Sequence, residues 1–236
     1  MPTNNSPQQS QMASNEGRIQ SVSRRKFLLF AGASAGVMAM AASCDKNDDN
    51  DNNMDSGVDL GADDTGILNY AYALEQLEAA FYTQVILTPY SGITDGEKAL
   101  LSDIRDHEIA HREFFKNALA AKAIGSLEVD FSSIDFTKRD SVLGTAKTFE
   151  DLGVSAYNGA GKLIKLPDYL VLAGKIVSVE ARHAAYIRDL ISNGSFADST
   201  VVDAMGLDKA LMPKDVLAAA APFIKTKINA SNLPTS

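Results

Sequence analysis

Residues 106–115, DHEIAHREFF, decide the fold of this chain, because they place a Glu-x-x-His motif, Glu108 and His111, inside a long helical pattern. A Glu and a His three positions apart on a helix lie about 60° apart around the axis and about 4.5 Å apart along it. Both side chains can therefore reach one ion. A second copy, Glu180 and His183, lies in residues 178–186, SVEARHAAY.

An isolated glutamate precedes each Glu-x-x-His motif on an earlier apolar helical segment. Glu75 precedes Glu108 by 33 residues, and Glu150 precedes Glu180 by 30. One Glu-x-x-His alone is common by chance and more often belongs to a solvated helix face, but the repeated arrangement is much harder to obtain by accident. Four inward-facing carboxylates repel one another, so burying them together requires cations.

This inventory resembles the ferritin-like di-metal family, in which two helices of a bundle each give a Glu and the other two each give a Glu-x-x-His. Residues 68–82, LNYAYALEQLEAAFY, look like the first ligand helix of that family, in its Ferritin-2 or desiccation-related branch. The resemblance covers about residues 64–193. It implies an all-α, ferritin-like four-helix bundle that holds two iron or two manganese ions.

The resemblance also implies how the ligands are shared between the two ions. One ion would bind Glu75, Glu108 and His111. The other would bind Glu150, Glu180 and His183, and Glu108 and Glu180 would bridge the two ions. The predicted metal ligands are Glu75, Glu108, His111, Glu150, Glu180 and His183.

Apolar periodicity and capping signals predict four long helices. They lie at about residues 64–87, 94–123, 140–160 and 167–193. Asp63 or Asp64 is the predicted cap of the first helix, and Thr94 with Glu97 forms a capping box at the start of the second. Some 16 residues, 124–139, separate the second and third helices. Because the other two connections are short, this one must return along the bundle, which predicts a single long crossover.

Four further side chains lie near the predicted ligands. Tyr82 and Tyr157 each follow their own helix's ligand glutamate by seven residues, close to two turns, so they are either core residues or hydrogen-bond donors to the site. His107 points about 100° away from its neighbour in the motif and is predicted to lie outside the ligand set. Glu78 lies one turn after Glu75, but Glu75 is assigned the ligand position because Tyr82 follows it by seven residues.

The N-terminus resembles a twin-arginine export signal with a lipoprotein processing site. Arg24 and Arg25 precede an apolar run of about 16 residues, which is short for a membrane span. Residues 41–44, AASC, look like an imperfect processing box, so we expect Cys44 to be lipidated. A plain cleaved signal or an uncleaved anchor is the alternative.

These patterns divide the chain into four parts. They are an export signal (1–43), a disordered acidic tether (44–63), the four-helix bundle (64–193) and a C-terminal extension with a short helix (194–236). The net charge of -8 and the lack of a basic cluster along the body argue against nucleic acid as a partner. The single cysteine excludes an internal disulfide and a four-thiolate iron site.

Three function classes remain open at this point, and the sequence does not decide whether the protein is an enzyme. The first is a di-metal oxidoreductase that acts on O2 or peroxide in envelope stress defence. The second is an iron-binding module without turnover, and the third is a structural or desiccation-stress protein. We expect an exported lipoprotein that a lipid anchor holds on the membrane. Its expected location is the periplasm or the cell envelope, with display at the cell surface as an alternative, and its expected state is a monomer or homodimer.

Overall fold

The computed structural model describes residues 57–236, and its architecture is all-α, which confirms the predicted fold class. The helices are α1 (Asp63–Leu87), α2 (Asp95–Leu119), α3 (Arg139–Gly161), α4 (Pro167–Ile191) and α5 (Pro213–Ala220). Short 3-10 turns follow α2 and α5, at Ala120–Lys122 and Ala221–Phe223. Two-residue strands β1 (Val58–Asp59) and β2 (Ile228–Asn229) pair in parallel.

The predicted export signal and the predicted lipidation site Cys44 lie outside the described residues. Within residues 57–236, no helix is long and apolar enough to cross a membrane.

Helix α1 is the most buried helix of the bundle. It packs on α2 as one hairpin, α3 packs on α4 as the other, and α1 and α3 contact each other across the middle. Most of α1 is buried, including its aromatic residues Tyr70, Phe81 and Tyr82. This burial follows from the sequence, since a helix with apolar residues on nearly every side must be enclosed by its neighbours.

The long connection between α2 and α3 is held at its start by two polar residues of α1. Asn69 donates to the carbonyl of Lys122 and accepts from the amide of Ile124. Gln76 donates to the carbonyl of Gly125 and accepts from the amide of Leu127. These bonds satisfy buried amide side chains and loop backbone together. The connection begins earlier than predicted, because α2 ends at Leu119.

The capping predictions have different outcomes. The capping box of α2 is confirmed, with Thr94 and Glu97 making both reciprocal hydrogen bonds. The predicted cap of α1 is wrong, because its N-cap is Ala62, which makes no side-chain bond. Instead, the Asp64 carboxylate accepts hydrogen bonds from the amides of Lys165 and Leu166, immediately before α4.

The end of the predicted tether is ordered, which departs from the expectation for residues 57–63. Val58 and Asp59 pair with β2, and the side chain of Leu60 is fully buried. The acidic composition of this segment suggested that it could not fold alone. Its partner strand lies about 170 residues later, so no local pattern could indicate the pairing.

The C-terminal extension packs along α3. The amide of Leu211 donates to the carbonyl of Ser155 over 2.9 Å, and the Asn158 side chain donates to the carbonyl of Lys209 over 3.1 Å. Gly159 makes this approach possible, because a Cβ atom there would lie 1.7 Å from the carbonyl oxygen of Leu211. The glycine therefore serves the extension rather than the packing of α3 on α4.

Candidate metal centre

Each of the four long helices contributes one fully buried glutamate to the bundle interior. Glu75 on α1, Glu108 on α2, Glu150 on α3 and Glu180 on α4 all have no exposed surface. Each occupies the inward face of its helix, together with buried apolar residues such as Leu74, Ile104 and Ile176. Carboxylates are almost never fully buried unless they are paired with cations or bind a metal.

A first group of ligand-type atoms surrounds the imidazole of His111. Its Nδ1 atom lies 2.9 Å from Oε1 of Glu180, 3.5 Å from Oε2 of Glu75 and 3.6 Å from Oε2 of Glu108. One ligand atom from each of these four residues lies within 4.8 Å of the others. The group joins residues of α1, α2 and α4.

A second group has nearly the same geometry around His183. Its Nδ1 atom lies 2.9 Å from Oε1 of Glu108, and 3.5 Å from both Oε2 of Glu150 and Oε2 of Glu180. These four residues also place one ligand atom each within 4.8 Å of the others. The second group joins residues of α2, α3 and α4.

Glu108 and Glu180 belong to both groups, and each gives one oxygen to either side. Oε2 of Glu108 faces His111 while its Oε1 faces His183, and Glu180 is shared in the opposite sense. The structure therefore brings all six residues of the predicted ligand set together, in two groups related by approximate two-fold symmetry. The two shared glutamates are those that the family resemblance implied as bridges.

The inward atoms of these six residues fit metal ions better than they fit one another. Eight of them are buried and have no hydrogen-bond partner of normal geometry within the described part of the chain: Glu75 Oε2, both oxygens of Glu108, His111 Nδ1, Glu150 Oε2, both oxygens of Glu180 and His183 Nδ1. Unpaired buried polar atoms are rare in proteins and costly. Two cations, each facing four of these atoms, would satisfy all eight.

Two tyrosines hold the remaining oxygens of the unshared glutamates. The hydroxyl of Tyr82 on α1 donates to Oε1 of Glu150 on α3, and that of Tyr157 on α3 donates to Oε1 of Glu75 on α1. Each tyrosine thus binds the glutamate of the opposite helix, not that of its own. This exchange ties α1 to α3 and leaves Oε2 of both glutamates directed toward the imidazoles.

His107 contacts the centre from outside. Its Nδ1 lies 2.9 Å from Nε2 of His183, and the two rings stack with 5.1 Å between their centroids. If Nε2 of His183 donates this hydrogen bond, its Nδ1 carries a lone pair toward the carboxylates, which is the form that binds a metal. His107 itself is exposed. Its position agrees with the prediction that it lies outside the ligand set.

The pKa values of the ligand-type residues reflect their crowding. Burial raises the pKa of Glu108, but the imidazoles of His111 and His183 outweigh it and lower that pKa to about 2. Burial also raises the pKa of Glu150, to about 8, and raises that of Glu75 well above its usual range. For both histidines, burial lowers the pKa, but the surrounding carboxylates outweigh it and raise it to about 12.

Glu78 is a fifth buried carboxylate beside the centre that the sequence reasoning left out of the site. Its side chain is 4% exposed, and burial followed by repulsion from Glu108, Glu180 and the other two glutamates raises its pKa well above the usual range. The sequence did indicate that Glu78 is buried near the ligands, since it lies one turn after Glu75 on the same apolar stripe.

The chain was compared with known protein families and with curated proteins. A family model described as a ferritin-like domain (Ferritin_2) matches residues 63–193, the segment that contains α1 to α4. A search of curated proteins found no match.

Proposed function

Since the chain belongs to the Ferritin_2 family of ferritin-like domains, we propose that it binds two iron or two manganese ions and uses them in redox chemistry with O2 or peroxide. One observation supports this proposal above the others: eight buried ligand-type atoms converge without hydrogen-bond partners among the described residues. They come from four helices and form two groups that share Glu108 and Glu180.

The composition of the two groups favours iron or manganese. Each group offers three carboxylates and one imidazole, a donor set that suits iron or manganese better than zinc or copper. Both ions prefer up to six ligands, so four protein atoms would leave positions for a small oxidant. When bound, two such ions would supply two electrons, enough with two protons to reduce one peroxide molecule to two water molecules.

The protein residues have separate tasks in this proposal. Glu108 and Glu180 would help to hold both ions, since each gives one oxygen to each group. Tyr82 and Tyr157 keep Glu150 and Glu75 oriented inward. Burial of the centre excludes bulk water, which strengthens every electrostatic contact inside it.

Metal analysis of the purified protein tests the binding step. We expect two ions per wild-type chain after growth with iron and manganese, and a near-complete loss in Glu108→Ala, because this change removes one oxygen from each group. Glu113→Ala is the matched control, since Glu113 lies on the same helix but is 45% exposed and paired with Arg112. An unchanged metal content in Glu108→Ala would contradict the assignment.

Turnover by the loaded protein tests the redox step. We expect oxidation of ferrous iron or consumption of hydrogen peroxide above the rate of the chelator-stripped protein, and no such excess in Glu108→Ala. Two bound ions without any turnover would reject the oxidoreductase and support the sequestering module. No bound ions in the wild-type chain would support the structural protein.

We also propose that the chain acts in the cell envelope as a lipoprotein. The support is the sequence alone, namely Arg24 and Arg25 before an apolar run, and Cys44 after small residues. Replacing both arginines with lysine should block export, and Cys44→Ala should permit export but release the protein from the membrane fraction. Unchanged export in the first variant would reject the twin-arginine route.

A further inference from the structure

Glu78 breaks the approximate two-fold symmetry of the bundle, because the equivalent position on α3 has no side chain. It follows Glu75 by three residues on α1, and the equivalent position three residues after Glu150 on α3 is Gly153. The Glu78 carboxylate lies against this glycine, because a Cβ atom at Gly153 would be 3.2 Å from Oε1 of Glu78. The bundle therefore makes room for one extra carboxylate and has no side chain opposite it.

The Glu78 carboxylate has no protein group to neutralise it. Its side chain is only 4% exposed, and within residues 57–236 neither a hydrogen bond nor an attractive charge offsets its burial. A carboxylate in such a place is stable only when protonated or when cations lie nearby. Repulsion from all four ligand-type glutamates acts on it, and ions bound between those glutamates would supply the positive charge that offsets it once the imidazoles are neutral.

The charge of Glu78 matters most when the two ions are oxidised. With neutral imidazoles, the carboxylates of Glu75, Glu108, Glu150 and Glu180 balance two divalent ions. Loss of one electron from each ion to O2 or peroxide leaves two positive charges in excess. A fifth carboxylate offsets one of them, and it does so in a buried place where Coulomb interactions are much stronger than in water.

We propose that Glu78 is a fifth carboxylate of the centre, whose negative charge stabilises the oxidised, trivalent form of the two ions. This inference rests on the proposed function, since it concerns the same centre. It goes beyond the six-ligand arrangement because Glu78 has no counterpart on α3.

The test is Glu78→Gln, which keeps the size of the side chain and removes its charge. We expect Glu78→Gln to bind two ferrous ions per chain, as the wild type does. Its midpoint potential should be higher than that of the wild type, and a chelator should remove its ferric iron roughly tenfold faster or more, because one nearby negative charge is lost from a buried site. Glu78→Asp keeps the charge and should remain closer to the wild type. Glu128→Gln removes an exposed carboxylate and serves as the control.

The outcomes separate this inference from the proposed function. A wild-type chain that binds no ions refutes both. Two ions in the wild type and in Glu78→Gln, with the same potential and the same rate of ferric release, refute the role of Glu78 alone. Glu78→Leu makes the same neutral change with an apolar side chain, so the measurement can be made even if the glutamine variant does not fold.

Discussion

Two glutamates of the centre, Glu108 and Glu150, differ in pKa because they face different numbers of imidazoles. Glu108 lies between His111 and His183, whereas Glu150 faces only His183. In the metal-free protein, Glu150 therefore keeps a proton near neutral pH, while Glu108 is ionised. Metal binding must expel the protons of the raised groups, so proton release should accompany it.

At the same scale, His107 should matter for metal affinity although it is exposed and not in the ligand set. Its Nδ1 accepts from His183 Nε2 in the form that leaves Nδ1 of His183 free for a metal. We expect His107→Ala to weaken metal binding by about 10- to 100-fold, the usual effect of losing the partner of a ligating histidine. Competition with a chelator of known affinity measures the change.

A conservative variant distinguishes the hydrogen bond from simple packing. His107→Gln offers a carbonyl oxygen that can accept the same bond from Nε2 of His183, so it should retain more affinity than His107→Ala. Equal affinity in both variants and the wild type would show that His107 does not orient His183.

Among the helices, Asp64 connects the start of α1 to the start of α4. Its two carboxylate oxygens accept from the amides of Lys165 and Leu166, and the residue is 8% exposed. Removing a buried carboxylate acceptor leaves both amides unsatisfied, so Asp64→Ala should lower the free energy of unfolding by about 2–4 kcal/mol. Asp63→Asn is the control, since Asp63 is exposed, has a φ of 51° that Asn also tolerates, and its ion pair with Lys165 lies on the surface. Denaturant unfolding of both variants measures the difference, and equal stability would contradict the cap.

Helix α3 offers two glycines with opposite expectations. Alanine at Gly159 would place its Cβ 1.7 Å from the carbonyl oxygen of Leu211, so the C-terminal segment must move away. Gly144 has no atom within 4 Å of a Cβ, and alanine there should stabilise the helix by about 1 kcal/mol. We therefore expect Gly159→Ala to speed proteolysis within residues 195–211 and Gly144→Ala not to do so. Similar cleavage in both would mean that the segment is not held by this approach.

For the whole molecule, the features that the sequence predicted are those with local or repeated signals. Helix periodicity, the Thr94 capping box and the duplicated Glu-x-x-His motif all lie within short stretches, and the structure has the helices and brings the six residues together. That these residues bind a metal stays a prediction. The family resemblance added the sharing of Glu108 and Glu180, which spacing alone does not indicate.

The features that the sequence did not predict depend on partners far along the chain. Val58 pairs with Ile228, and Asp64 caps a helix about 100 residues later. Apolar periodicity indicates which face of a helix is buried but not what lies opposite, so it could not show that Glu78 lies against Gly153. The same limit applies to the tyrosines, which bind the glutamates of each other's helix.

Stability should depend on pH in opposite directions with and without metal. In chelator, Glu150 keeps its proton up to a pKa of about 8, above its ordinary value of 4.5, and both histidines keep theirs up to about 12. The folded state then binds more protons than the unfolded one, so the stability that these groups contribute is present at low pH and is lost as the pH rises. Glu108 does not change in this range, because its pKa is about 2.

We therefore expect the Tm of the chelator-treated protein to fall between pH 6 and pH 8, because the free energy of unfolding drops by about 1.4 kcal/mol per pH unit for each proton that only the folded state binds. With excess manganese the Tm should rise over the same interval, because ions bind the deprotonated ligands and stabilise the folded state. Thermal unfolding followed by circular dichroism measures both curves. Parallel curves would mean that metal and protons do not compete for these side chains, which would contradict a centre made of Glu150, His111 and His183.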